Sequence, residues 1–304
     1  MGAASELGDR VAYLPIADRP IIRWPGNARV AFWVSPNITF YEYTPLLDKL
    51  RDPYPRTPHP DVRSYAHQDY GKRVGFWRML RVLDKHGITA TASLNVAVLD
   101  HFPEIREAMV ARDWDYMCHG LYNSRFVWHL SEEEERAYWQ ALADRVLQHT
   151  GKRMGGNLGP GPQSCTERTP DLMAEAGLLY NAAWVHDDQP FPMRVRQGRL
   201  ISLPYSFDTN DSPFLGMGWE VDEFAEACKR QFDRLYAEGA DSGRVMNLSL
   251  HTYLIGQPHR IKYLDQILDY ILSHDGVWKT TGSEIAHYYL DHYYDATMKR
   301  IQGG

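Results

Sequence analysis

Thirteen histidines are spread along the 304-residue chain, yet only His119, His186 and His251 directly follow an apolar run of the kind that folds as a strand. Polar and ionisable side chains gather at the same places. Asn37 follows ARVAFWVSP, with Tyr41, Glu42 and Tyr43 just beyond, and Asn95 follows ITATASL. Tyr122, Asn123 and Arg125 follow DYMCHG, and the turn GNLGPGP carries Gly159 and Gly161. LLYNAAWV runs into His186, Asp187 and Asp188; RLISLPYS runs into Asp208, Asn210 and Asp211; RVMNLSLH ends in His251. Imidazoles and carboxylates can carry protons between water and a substrate. Amides and glycine N–H groups can hold a carbonyl and its developing charge. Each residue taken singly has a plainer reading: a hydrogen-bonded histidine, an Asx turn at 187–188, a loop breaker at 159–162. Their convergence on the ends of five or six strands points instead to one polar site.

The elements that bring these residues together are legible from periodicity. Residues 1–27 read as an irregular arm broken by Pro15, Pro20 and Pro25. Residues 28–304 read as one domain. Strands are expected at 28–36, 88–94, 115–120, 178–185, 199–206, 244–251 and 276–280. Helices fall between them. One over 69–85 ends at His86-Gly87, and one begins at the capping box Ser131/Glu134 and runs to Thr150. Another opens at Thr169-Pro170, one is capped by Asp222, and the last carries the box Thr281/Glu284. The acidic run 132–135 reads as a solvated first turn. Segment 43–68, with five prolines, reads as a long loop serving as a lid or subunit-contact arm. Seven rounds of strand and helix predict a single-domain α/β fold, a distorted (β/α)7 barrel, whose site lies at the carboxyl ends of the strands.

Composition removes other classes. A formal charge of −6 argues against a nucleic-acid partner. No run of about 18 apolar residues is present, so no membrane span is expected. The N-terminal stretch lacks the apolar core of a secretory signal. Three widely spaced cysteines suit a reducing compartment, so a cytoplasmic location is expected. Neither G-x-G-x-x-G after the first strand nor a phosphate-binding G-x-x-x-x-G-K-[ST] occurs, and G-x-S-x-G and H-E-x-x-H are absent. Cys165, in PQSCTER, is a possible nucleophile, a plain free thiol being the simpler reading.

The segments RVAFWVSPNI, YGKRVGFWRMLRVLDKHGITATASLN, CHGLYNSR, LGPGPQSCTERTPDLMAEAG, HDDQPFPM, SLPYSFDTND and LSLHTYLIGQPHR together resemble the polysaccharide deacetylase superfamily. The nearest likeness is to its branch of metal-independent allantoinases and cyclic-imide hydrolases. The resemblance spans about residues 25–290 and implies the distorted (β/α)7 barrel. Sugar deacetylases of this superfamily hold zinc through an Asp after the first strand and an H-x-x-x-H pair after the third. Here those positions read Asn37, and His119 with Asn123. Zinc needs about three good nitrogen, carboxylate or thiolate ligands, so the inherited zinc site is expected to be lost. No cofactor is expected. A divalent metal such as zinc, held by His119, Asp187 or Asp188 and His251, is the alternative.

The function expected is hydrolysis of a non-peptide C–N bond, opening a small cyclic amide, imide or ureide. His251 or Glu42 would take a proton from water, and His119 would stabilise charge or protonate the leaving nitrogen. Asp187 and Asp188 would orient the histidines or bind substrate nitrogen. Asn37, Asn123 and the turn at 159–161 would hold the carbonyls. Asn95, Tyr122, Arg125, Asp208 and Asn210 complete the substrate-binding set. Two alternatives stand beside this: a metal-dependent N-deacetylase of an acetylated sugar, and a barrel that only binds a ligand. The related allantoinases imply a homodimer or homotetramer. Segment 43–68 and the tyrosine-rich tail 288–302 are candidate contacts.

Overall fold

The run Val30–Ile38 forms the longest strand, β1, and everything else is assembled around it. The computed structural model describes residues 10–46, 60–160 and 165–303. Among these residues β1 is followed by β2 (Thr91–Leu94), β3 (Asp115–Cys118), β4 (Gly156–Asn157) and β5 (Tyr180–Asn181). Then come β6 (Phe191–Met193), β7 (Leu200–Ser202), β8 (Arg244–His251) and β9 (Val277–Thr280). The nine strands make one sheet in the order β6-β7-β5-β4-β3-β2-β1-β8, with β9 also paired to β1. All pairings are parallel except β6 with β7. Helices cover the outside, so the strands are apolar on both faces.

Alternation along β1 sorts its side chains. Val30, Phe32 and Val34 join Met246, Leu248 and Leu250 under the outer helices, whereas Ala31, Trp33 and Val245 face the barrel interior. Ser35 and Asn37 share that inner face and bond to Asn247 and Ser249 of β8. Pro36 sits inside this strand without cost. The Arg29 carbonyl accepts from Arg244 towards β8, and the Ile38 carbonyl accepts from Asn95 towards β2, so even positions turn their backbone to the β9/β2 side. On that side the β9 pairing ends at Trp33 and the β2 pairing begins at Asn37. The missing N–H of Pro36 falls in the gap.

The sheet curls into the expected distorted barrel but does not close with a strand ladder. Val245 N–H donates to the Asp188 carbonyl and Ser249 N–H to the Thr209 carbonyl, and Asn210 bridges Ser249. These loop contacts lace β8 to the segment after β7 along an open seam.

Several local expectations are corrected. LLYNAAWV is a strand only at Tyr180–Asn181, and GNLGPGP contributes the short strand β4. The irregular reading of 43–68 fails at its end: a helix spans Val62–Tyr70, because the Asp61 carboxylate accepts from Ser64 N–H and caps it. Residues 47–59 lie outside the described residues. A π-turn over Gly71–Gly75 joins this helix to Phe76–Lys85. The helix after β7 is capped by Glu220 with Glu223, not by Asp222. Glu135 is not solvated; it is fully buried and accepts from Trp139, Thr166 and Thr169, so the run 132–135 is exposed only in part. In the tail, Tyr289 and Tyr294 are buried, while Tyr288 and Tyr293 donate to the Arg23 carbonyl of the arm.

The helical segment 62–85 meets the loop after β8 at almost bare backbone. A Cβ on Gly75 would lie 1.9 Å from the Thr252 carbonyl oxygen, and one on Gly256 would lie 2.2 Å from the same atom. Backbone cannot swing aside as a side chain does. Gly75→Ala is therefore expected to destabilise the protein by about 2–3 kcal/mol. Urea unfolding checks this; a variant within 0.5 kcal/mol of wild type, on the order of a neutral surface change, would contradict it.

Candidate active site

At the carboxyl end of the strands lies a cavity of about 200 Å³. Asn37 from β1, His119 and Asn123 after β3, and His251 from β8 line it, together with Tyr205, Asn210 and Tyr253. Leu158 and Pro160 close the side towards β4, and Phe207 lies across from them.

His251 is held by Asp211. Its Nδ1 lies 2.8 Å from the Asp211 carboxylate, which is fully buried. The same carboxylate accepts from the backbone N–H of His251 at 2.9 Å and of Ile255 at 3.2 Å. A carboxylate oxygen accepts, so His251 donates from Nδ1 and Nε2 is the ring nitrogen left for the cavity. Asp211 is positioned by local chemistry. Asn210 accepts from Ser212 N–H and caps the helix Asp211–Gly216, which sets Asp211 at its first turn beside β8.

His119 lies across the cavity, and its Nδ1 is 3.1 Å from Ser93 Oγ on β2. Burial pushes its pKa down to about 3, and the neighbouring His251 adds to the shift while Asn123 opposes it. The imidazole is therefore neutral near pH 7. Asn95 fixes its backbone: the Asn95 amide donates to the His119 carbonyl and its oxygen accepts from Phe40 N–H at 2.8 Å. A buried network backs the cavity, with Asn37 donating to Ser249 Oγ, Ser249 paired with Tyr205 OH, and Asn210 donating to Tyr205 OH at 2.8 Å.

The other residues read as site candidates stand elsewhere. Glu42 accepts from Ser124 at 2.7 Å and from Arg125 at 2.6 and 3.1 Å. Its pKa is lowered: burial raises it, but the Arg125 and Ser124 bonds outweigh that, and it does not line the cavity. The Arg125 guanidinium stacks 4.5 Å from the Tyr122 ring, making a rim cluster with Glu42. Asp187 is clamped by both Arg19 nitrogens at 2.7 Å. Asp187, Asp188, Asp208 and His186 line a second cavity of about 610 Å³ along the open seam, walled from the first by Tyr205 and Phe207. Burial and the Asp187 charge hold the Asp188 carboxyl above its usual range. Gly159 N–H donates to Asn157 at 3.0 Å and so does not serve a substrate; Gly161 lies outside the described residues. The Cys165 thiol is pushed up to about 11 by burial, which leaves it protonated.

Asn37 has a different posture from the one expected. Its Nδ2 is occupied by Ser249 and by the Leu250 carbonyl, so the oxygen is the group left over. Asp211 is the residue whose part the sequence did not disclose. The visible signal was only its place after β7, in a run shared with Asp208 and Asn210.

The donor set does not suit zinc. The cavity offers two imidazoles and three neutral amides, and the Asp211 carboxylate behind His251 is already filled by three N–H groups. Among the described residues, the His, Asp, Glu or Cys side chains close enough to share an ion are His86, Asp265 and Asp269, which precede β2 or follow β8 at the other end of the barrel. Lys85 Nζ already lies 2.7 Å from Asp265 there.

No family model matches the chain. A Schizosaccharomyces pombe protein bearing the name polysaccharide deacetylase is 25% identical over 295 residues, covering 86% of this chain and 91% of its own length. The solved structure of a probable polysaccharide deacetylase from Pseudomonas aeruginosa PAO1 superposes with a TM-score of 0.78 at 27% identity. It covers 90% of this chain and 95% of its own. PuuE allantoinase superposes with a TM-score of 0.77 at 29% identity, with the same coverage of both chains. The shared fold, retained over nearly the whole length of each relative, supports the resemblance of this chain to the polysaccharide deacetylase superfamily.

Proposed function

We propose that this polysaccharide deacetylase-like hydrolase opens a small cyclic amide, imide or ureide at a C–N bond, using histidines in place of a metal. The observation that carries the reading is the buried Asp211–His251 pair facing a neutral His119 across a small cavity. The likeness to PuuE allantoinase supports it.

His251 Nε2 takes a proton from water, and the water oxygen bonds to the ring carbonyl carbon. Asp211 stabilises the imidazolium that forms. If Ser93 donates to His119 Nδ1, His119 Nε2 carries the hydrogen that meets the oxyanion. When the C–N bond breaks, His251 returns its proton to the leaving nitrogen. Atoms balance: one water is added and one ring bond is lost. A carbonyl whose nitrogen is shared with a second carbonyl, as in a cyclic imide or hydantoin, gives up less amide resonance on attack than a simple amide, which suits a site without a Lewis acid.

His251→Ala and His119→Ala should each cost at least about 100-fold in kcat/KM for hydantoin-type rings. Asp211→Asn should cost a similar factor in kcat with little change in KM, by losing the tautomer and not the binding. Near-wild-type kinetics for the two histidine variants would remove the assignment.

Extensive dialysis against a chelator should leave the rate within about twofold, since the cavity lacks the ligands zinc requires. Loss of activity, restored by zinc, would favour the N-deacetylase of an acetylated sugar instead.

The neutral His119 also sets a pH dependence. Its pKa of about 3 in the folded chain lies below the ordinary 6.5, so between those values the unfolded chain binds the proton and the native chain does not. Stability from this group is complete above pH 6.5 and falls with pH, by about 1.4 kcal/mol per pH unit at most. Urea unfolding of wild type and His119→Gln from pH 7 to 4.5 tests this, and parallel curves would refute it.

A further inference from the structure

Two hydroxyls beside the histidine-lined cavity have one hydrogen more than their surroundings accept. Tyr205 OH and Ser249 Oγ lie 2.5 Å apart, and each also faces an amide whose orientation is fixed. Asn210 Oδ1 accepts from Ser212 N–H at 3.0 Å, so its Nδ2 is the atom 2.8 Å from Tyr205 OH. The Leu250 carbonyl can only accept, so Asn37 turns Nδ2 to it and to Ser249 Oγ, 3.0 Å away. Both hydroxyl oxygens therefore accept from an amide. One hydrogen fits between them, and together they carry two. Among the described residues neither hydroxyl has a further acceptor, so one O–H points elsewhere.

Burial decides which one. Ser249 is fully buried and does not line the cavity, and a hydroxyl hydrogen held there without an acceptor costs free energy. Tyr205 lines the cavity together with His119 and His251. Its ring borders the seam as well, but its hydroxyl end is turned to the histidines' side: Asn210, which it touches, lines that cavity and not the seam. Ser249 thus donates to Tyr205, and the Tyr205 O–H is the hydrogen left for whatever fills the cavity. Burial holds the Tyr205 pKa well above the usual tyrosine range, so the hydroxyl stays protonated.

We propose that Tyr205 is a catalytic residue of the hydrolysis: its hydroxyl donates to the carbonyl oxygen under attack and holds the charge that this oxygen gains. The proposal rests on the ring-opening reading above and adds a donor to it. When the water oxygen bonds to the carbonyl carbon, the π pair of the C=O moves onto oxygen. The hydrogen bond from Tyr205 strengthens, with no proton transferred. The pair returns to the carbon–oxygen bond when the C–N bond breaks, and the proton taken from water passes through His251 to the nitrogen. A donor already fixed by Ser249 and Asn210 needs no rearrangement as the charge appears.

Sulfur in place of the attacked oxygen tests the contact, because C=S accepts hydrogen bonds poorly. Hydantoin is compared with 4-thiohydantoin, which carries sulfur on the carbon whose bond to nitrogen opens. Ring-opening rates, each scaled to the rate in hydroxide alone, are measured for wild type, Tyr205→Phe and His119→Ala. Tyr205→Phe should lose about 100-fold in kcat on hydantoin with little change in KM. Wild type should prefer the oxygen ring by at least about tenfold; the preference should collapse towards one in Tyr205→Phe and persist in His119→Ala. Equal losses on both rings would mean that the phenylalanine variant acts through Asn210 and the helix it caps, which would overturn this proposal and leave the hydrolase reading intact. Should Tyr205→Phe fail to fold, His119→Ala decides: a preference that persists there supports the donor, and one that vanishes overturns it. Wild type that opens no cyclic amide, imide or ureide would overturn both readings.

Discussion

The buried carboxylate of Asp211 is the constraint around which this end of the barrel is arranged. A charge removed from water needs full compensation from hydrogen bonds. Here the compensation comes from the His251 and Ile255 N–H groups and the His251 ring. Those donors exist only if the chain turns sharply after β8, and the turn is possible only because Gly256 and Gly75 let two backbones meet around the Thr252 carbonyl. His251, the turn and the helical segment 62–85 thus depend on one another. Breaking any of them leaves the carboxylate partly unpaired.

The rest of the site avoids charge. At the two positions where the resemblance implies a carboxylate and an imidazole for zinc this chain has two amides, and His119 is buried so deeply that it stays neutral. Among the lining residues the polar groups are imidazoles, amides, hydroxyls and backbone. Such a cavity suits a neutral, planar, hydrogen-bonding ring. The acidic residues gather instead along the seam, where Arg19 neutralises Asp187 and solvent reaches the rest.

What could be read from the sequence was what local pattern controls. The apolar runs marked β1, β2, β3, β7, β8 and β9, and the boxes Ser131/Glu134 and Thr281/Glu284 marked helix starts at their true positions. Placing His119, Asn37, Asn123 and His251 at strand ends was enough to bring them to one cavity, because a curled parallel sheet collects its carboxyl ends. Asp187 and Asp188 are expected from the sequence to end a strand, yet β5 stops at Asn181 and the two face the seam, since the sheet stops short of closing there. Strand order decides this, and no local signal encodes it. Glu42 found Arg125, 83 positions away in sequence, and Glu135 found Thr166 and Thr169; such pairings depend on helices and loops meeting in space. The helix Val62–Tyr70 was hidden because its residues are mostly polar and follow a proline-rich stretch.

Pro36 carries a consequence for the depth of Asn37. Only the interval between the last residue of β1 paired with β9 and the first paired with β2 tolerates a backbone nitrogen without hydrogen. Were β1 to slide by two residues in either direction, the proline would meet a neighbouring strand that demands a donor, and a carbonyl would be left bare. The proline therefore acts as a register stop. It pins the adjacent asparagine at one level of the cavity floor, so the sequence encodes the height of a cavity-lining residue through a hydrogen that is missing one residue earlier.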